Sequence, residues 1–302
     1  MRSGGLTIVA HYLLRLYRMV FEFALARDSR EREYNADRVA AQLTAPQSIV
    51  QSLIKISAYS SYRNAVERKL FEQEQQHTGA LGIAGFVADG LHPYASSGEF
   101  VTAMKTAAVP HPYDSHPPLL ERMRNVSHHV AEDAYGAIVT TVPAATWADE
   151  IATAAAIEGR LWGDYEQRFA ADHEQSLAYR YEPANDAERE IVLRYFPPVS
   201  YDIGKGNRID VTHEGLHATA DDGAPTSWDE VKGMAFDNNT FGNTLTITHF
   251  DKGMVGARTS KIKLKGLGKQ EEHFKAVLGN YWQRHQIMRA QQKARAEQAA
   301  EA

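Results

Sequence analysis

The chain has 302 residues, a formal net charge of -5, a hydrophobic fraction of 43%, a charged fraction of 24% and no cysteine. These proportions are those of an ordinary globular protein with two domains or three. The charge balance argues against a basic nucleic-acid footprint, and the lack of cysteine excludes disulfides, thiolate metal ligands and thiol catalysis. A cytosolic, reducing setting fits that composition. Thirteen histidines leave metal chemistry based on imidazole and carboxylate open.

Residues 6–27 are rich in Leu, Val, Phe and Tyr and read as a helix. A membrane span needs about 20 predominantly apolar residues, and here His11, Arg15, Arg18 and Glu22 interrupt the run. Their spacing of four, three and four makes one polar stripe on an apolar helix, which predicts a helix packed inside a protein. A helix lying on a membrane surface is the alternative. The charges inside the apolar run also exclude a signal peptide.

Residues 29–72 read as a second helix, broken near Pro46, with Thr44 available as N-cap and Ile49, Leu53, Ile54 and Ile56 as an inward face. Near its start, in Ser29-Arg30-Glu31-Arg32-Glu33-Tyr34-Asn35-Ala36-Asp37, two carboxylates four apart share a helix face. The plain reading is a solvated face of Glu–Arg pairs. The run also resembles the third-ligand helix of the HtpX and CAAX-prenyl-protease-like zinc metallopeptidases. His116-Pro117-Pro118-Leu119 with Arg122 is similar to the His-Pro stretch that closes the peptidase domain of that family. The two motifs in order, covering about residues 5–127, carry the resemblance. It implies a zinc cofactor with Glu33 as a metal ligand, Asp37 as the carboxylate behind it that orients the site, and a protein or peptide as substrate. His116 has two readings open: a place beside the site, by resemblance, or a cap, with Ser115, for the helix that follows. The capping reading is favoured.

A catalytic zinc takes three protein ligands and a water. The family draws two from a His-Glu-x-x-His helix upstream, and nothing of that kind precedes Asp28. The expectation is therefore an N-terminally truncated or late-started chain that hydrolyses no peptide bond by itself. Family members are often membrane-tethered; this sequence offers no span, so membrane association rests on the resemblance alone.

Gly79–Pro112 reads as loops with short helices, including His92-Pro93 and His111-Pro112 in loops. Residues 145–196 look helical, with Trp147, Ile151, Leu161, Trp162 and Phe169 as candidate core positions, and Phe196-Pro197-Pro198 ends the helical pattern. Period-two runs follow at Val199–Ile203, Arg208–Thr212, Gly215–Thr219, Thr226–Val231, Thr244–Phe250 and Met254–Leu264, separated by turn signals. A helix over about 269–286, with Phe274, Val277, Leu278 and Trp282 inward, closes the unit. Serial strands and one helix resemble a bacterial pleckstrin-homology-like module, carried by Val211-Thr212-His213-Glu214-Gly215-Leu216 and Ser227-Trp228-Asp229-Glu230-Val231.

The expected fold class is therefore α+β: a mainly helical metallopeptidase-like half domain and a small antiparallel β domain with one closing helix. The expected division is 1–130, a helical connection 131–197, the β domain 198–287 and a charged, Ala-rich tail 288–302.

His213-Glu214-Gly215-Leu216-His217 matches His-Glu-x-x-His by letter. The zinc chemistry needs a helix, whereas Ile209–Thr212 is strand-like and Glu214-Gly215 reads as a turn. On a strand, residues four apart are about 13 Å apart, too far to share a metal. The pentapeptide is expected to be a decoy. Lys252, Lys261, Lys263 and Lys265 hint at anion contact, but protection of an edge strand is the favoured reading. Two functions stay in competition: a bacterial, cytoplasmic member of a metalloendopeptidase family, or a non-catalytic scaffold that binds through the pleckstrin-homology-like module.

Overall fold

The computed structural model describes residues 4–75, 81–107, 116–219, 225–239, 242–252 and 257–301. The chain is α+β and divides into two compact units, Met1–Gln73 with Gly79–Glu166, and Glu74–Thr78 with Gln167–Ala302.

In the first unit α1 runs over Gly4–Leu43 and α2 over Pro46–Glu72. Asp28 does not break α1, contrary to the expectation of separate helices over 6–27 and 29–72. It sits in mid-helix, paired with Arg32 one turn on at 2.5 Å. The break falls at Pro46, which takes the first position of α2, where its missing N–H costs nothing. Thr44 does not cap α2: its hydroxyl donates back to the Ala40 carbonyl, and Ala45 is the N-cap without a side-chain bond. Val50, Leu53, Ile54 and Ala58 form the inward face, while Ile56 is exposed. The helical period of 3.6 residues, counted from Val50 rather than Ile49, explains that swap.

Helices α3 (Ile83–Ala95), α4 (Gly98–Ala107), α5 (Leu119–Asn125) and α6 (Tyr135–Thr140) pack their apolar faces on α2. Val50, Ile54, Tyr94, Phe100, Met123 and Tyr135 centre this core. His92 lies in α3 rather than in a loop; His111 lies outside the described residues.

The N-terminal half of α1 departs most from expectation. From Leu14 to Glu22 every side chain is exposed, Leu14 to 68%, so the reading as a buried core helix does not hold among the described residues. Polar and apolar side chains are exposed alike here, and no described element lies over the apolar ones. No described helix is long and apolar enough to cross a membrane.

Helix α7 (Ala154–Arg180) runs from the first unit into the second and is followed by α8 (Asp186–Tyr195), whose N-cap Asn185 accepts the Glu188 N–H. Ile151 and Leu161, expected in the core, are exposed; Trp162 and Phe169 are half-buried, and the Trp147 side chain lies outside the description. The helix stops before Pro197, as expected.

The second unit holds two antiparallel sheets. One has the order β1 (Val199–Gly204), β2 (Asn207–Val211), β3 (Gly215–Ala218), β4 (Thr226–Ser227); the other β5 (Val231–Asn239), β6 (Gly242–Lys252), β7 (Ala257–Lys263). The run Thr226–Val231 is not one strand: Trp228–Glu230 is a short 3-10 turn, and β5 begins beyond it. Strand β5 gives no period-two signal, because Val-Lys-Gly-Met-Ala-Phe-Asp lacks clean alternation. The turn signal Asp222-Gly223 lies outside the described residues.

Helix α9 (Glu271–Glu301) is longer than expected and takes in most of the presumed tail. It buries Phe274, Leu278 and Tyr281 against Leu177, Ile191, Phe196, Ile209, Trp228 and Leu245, so α7, α8 and both sheets share this core. Tyr201, Phe196 and Phe274 meet their aromatic neighbours edge to face, a geometry that adds to the burial of their large surfaces.

Candidate functional site

Helix geometry sets the first step of the site. Glu33 and Asp37, one turn apart, project from the side of α1 that meets α5. On α5, Glu121, Arg122 and Asn125 lie at spacings of one and three and grip α1 with three side chains.

Arg122 is the centre of the grip. Its Nε donates to Asp37 Oδ2 at 2.8 Å and its Nη2 to Asp37 Oδ1 at 2.6 Å, a two-pronged match of planar guanidinium and carboxylate. The same Nη2 lies 3.0 Å from Glu33 Oε2. The Asp37 side chain is 5% exposed and that of Arg122 19%. Hydrogen bonding to Asp37 raises the guanidinium pKa above its ordinary value, despite the opposing effect of burial. The pair is a fixed dipole inside the helix interface.

Two more bonds fix the register. The Tyr34 hydroxyl donates to Glu121 Oε2 at 2.6 Å, and the Asn125 amide donates to the Tyr34 carbonyl at 2.8 Å. Burial first, and the Glu121 carboxylate second, push the Tyr34 phenol up to about 12. Arg38 donates to the Asn125 side-chain oxygen at 3.3 Å and to Asn35.

His116 is brought onto the same cluster. Its Nδ1 lies 2.9 Å from Glu33 Oε1, although the ring is 73% exposed. It does not cap α5: Pro118 is the N-cap, without a side-chain bond. Two turn-forming prolines hold His116 clear of the helix and leave it free to reach back to α1. The sequence had singled out Glu33, Asp37, His116 and Arg122, and all four meet here. It missed Glu121 and Asn125 as partners; the signal was present in the position of Asn125, four residues after Glu121 and three after Arg122, which puts it beside both on a helix.

A zinc ion here would have to be held by these donors. Glu33 and His116 offer one carboxylate and one imidazole, and Arg122 occupies the other Glu33 oxygen. Asp37 is committed to Arg122 through both oxygens. Three protein ligands are needed, and among the described residues no group of three His, Asp or Glu side chains could hold a metal. The described residues therefore do not make up a complete zinc site.

His213 and His217 do not supply one. In the second unit, residues 212–214 form the turn between β2 and β3, and His217 lies in β3 opposite Asp210. Gly215 is required there by close packing: a Cβ would stand 2.1 Å from the Thr226 carbonyl oxygen on β4. The Thr212 hydroxyl accepts the N–H groups of Glu214 and Gly215, closing the turn locally. His213 is buried and its Nε2 lies 3.6 Å from Glu214.

Comparisons with curated proteins and with solved structures give no match. Residues 2–130 match the model of peptidase family M48, a family of zinc metallopeptidases. That stretch holds Glu33, Asp37, His116 and Arg122, and it is this part of the chain that is similar to the M48 metallopeptidases.

Proposed function

We propose that this chain carries the third-ligand half of a zinc metalloendopeptidase site of the HtpX-like kind and does not complete the site with its own described residues. The observation that carries the proposal is the joining of two sequence motifs, 83 residues apart, through the contact of His116 with Glu33. In this reading Glu33 is the metal ligand, and the Asp37–Arg122 pair holds the helix at the height and rotation that present it. His116 stands beside the site. The two imidazole ligands and the general base come from a His-Glu-x-x-His helix outside the 302 residues, and the substrate is a protein or peptide. The proposal includes a bacterial, cytoplasmic protein, with membrane contact, if any, peripheral.

Metal analysis tests it directly. The purified chain is expected to hold no stoichiometric zinc and to cleave no peptide; stoichiometric zinc that is lost on Glu33→Ala would overturn the claim of an incomplete site. A gene product extended upstream is expected to gain zinc and zinc-dependent proteolysis, both lost on Glu33→Ala. An upstream reading frame without His-Glu-x-x-His would sink the truncated-peptidase reading.

A second reading draws on the other unit. Its four-stranded and three-stranded antiparallel sheets with one long closing helix support a pleckstrin-homology-like module. Such a module would make the chain a scaffold or binding protein. Lys261 and Lys263 lie on β7, which is an edge strand, and are exposed there, in keeping with edge protection.

A further inference from the structure

A cleft of about 300 Å³ opens in the second unit, where α9 passes the turn between β2 and β3. The turn is tied down by two buried side chains. Trp228 donates its backbone N–H to the Glu214 carbonyl at 3.0 Å and its indole N–H to the Thr212 carbonyl at 2.9 Å. Arg284 on α9 donates through Nη1 to the His213 carbonyl at 3.3 Å. Its Nε and Nη2 donate to the carbonyls of Ala178 and Tyr181. Trp228 and Arg284 are each 1% exposed, so the turn rests on a dry support.

His213, in the middle of the turn, is itself buried, and its Nδ1 is sealed from water with no hydrogen-bond partner among the described residues. Its Nε2 lies 3.6 Å from Glu214, whose side chain is largely exposed. A neutral imidazole tolerates this setting, because only one of its nitrogens carries a proton. The imidazolium does not: both nitrogens then donate, and Nδ1–H finds no acceptor. The charged groups facing the ring are Glu214 on its own turn, Arg284 on α9 and Arg189 on α8. Burial is the largest influence; with the two arginines it outweighs Glu214 and holds the imidazole pKa below its ordinary 6.5. His285, which also lines the cleft, differs. Its Nε2 lies 3.5 Å from Asp229, with Arg289, Arg284 and Glu182 also facing it, and neither ring nitrogen is both buried and unpartnered.

We propose that the turn between β2 and β3 is an acid-sensitive latch: protonation of His213 swings the turn off α9 and opens the cleft. The Arg284–His213 and Trp228–Thr212 bonds break, and water reaches both nitrogens of the imidazolium. The closed form is fully favoured above the ordinary imidazole value. It loses ground as pH falls through 6.5, because the open form then binds the proton that the closed form resists. The Thr212 hydroxyl keeps its bonds to the Glu214 and Gly215 N–H groups, so the turn moves as a unit. Arg284 keeps the carbonyls of Ala178 and Tyr181, and Phe274, Leu278 and Tyr281 keep α9 in the core. The change is therefore confined to the turn and the cleft. The inference rests on the second unit alone and stands apart from the metallopeptidase reading.

The test takes the full chain from about pH 8 to about pH 5, with the Trp228 indole and the His213 imidazole followed by NMR and the turn amides by hydrogen exchange. One transition is expected, with its midpoint below 6.5. In it His213 gains its proton, the Trp228 indole signal moves, and protection of the amides at residues 213–215 falls at least about tenfold. A His213 that titrates without moving the Trp228 indole overturns the latch, as does protection of the turn that does not fall. His213→Leu removes the titrating ring and keeps the carbonyl that Arg284 uses. Its turn is expected to stay closed across the range, and a transition like that of the parent overturns the role given to His213. His285→Gln is expected to leave the transition in place; its loss there assigns the proton to His285 and overturns the proposal. The parent titration decides by itself if the leucine variant does not fold.

Discussion

Arg122 in the first unit and Arg284 in the second are both withdrawn from water, and their charges are met in opposite ways. Arg122 faces two carboxylates, and hydrogen bonding to Asp37 raises its pKa. Arg284 faces carbonyl oxygens, and burial lowers its pKa below the guanidinium norm. The first arrangement is closed: charge and geometry are satisfied inside the protein, as a scaffold for Glu33 requires. The second spreads the charge over three backbone carbonyls, with the Phe196 ring 5.5 Å away and the Glu182 carboxylate acting on it as well. The same residue type thus ties a carboxylate in one unit and a set of backbone carbonyls in the other, and the difference lies in what the neighbouring elements bring to it.

The largest effect should come from opening the closed pair. Asp37→Ala leaves Arg122 with only Glu33 and is expected to destabilise the first unit by about 3 kcal/mol, read by urea denaturation. Asp37→Leu with Arg122→Met should recover most of that loss, because the double change removes both charges; no recovery would mean that the pair is more than an electrostatic strut. Arg284→Met strips the donor from three carbonyls but also removes a buried charge, so a smaller loss of about 2 kcal/mol is expected. A loss larger than that of Asp37→Ala would reverse the comparison.

Tyr34→Phe is expected to cost about 1 kcal/mol by removing the bond to Glu121. It should also change the alkaline limb. The folded pKa of Tyr34, about 12, exceeds the unfolded value of about 10. Its contribution to stability is therefore full below pH 10 and lost as pH rises towards 12. Stability measured across that window should fall less steeply in Tyr34→Phe than in the parent. Some slope must persist, since burial also pushes Tyr281 in the second unit up to about 12. The smallest effect belongs to His116→Ala: the exposed imidazole contact with Glu33 is worth less than about 0.5 kcal/mol, and thermal unfolding should barely move.

Much of the candidate site was legible in sequence because its parts are local. The spacing of Glu33 and Asp37 fixes a shared helix face whatever lies around it, and the His-Pro stretch placed His116 and Arg122 in one motif. The geometry of the β2–β3 turn was likewise written in β-branched residues followed by Glu214-Gly215, which ruled out a helical zinc motif. What was misread depended on neighbours. Ile56, Ile151 and Leu161 are apolar and lie at helical spacing, yet spacing reports only that a face exists and not that another element covers it. The same reasoning failed for Leu14, Tyr17 and Phe21 on α1. His116 was assigned to a helix end because capping is a local rule, and the competing carboxylate lay 83 residues away.

The sequence by itself determined the α+β order, the helical breaks at Pro46 and before Pro197, and which carboxylates share a face, since these follow from backbone sterics and side-chain periodicity. Only the tertiary structure decided that Asp37 is locked to Arg122, that His116 turns towards Glu33, and that Arg284 is buried against carbonyls with His213 beside the same cleft. Those outcomes depend on distances between segments far apart in the chain, and on which charges water is kept from reaching.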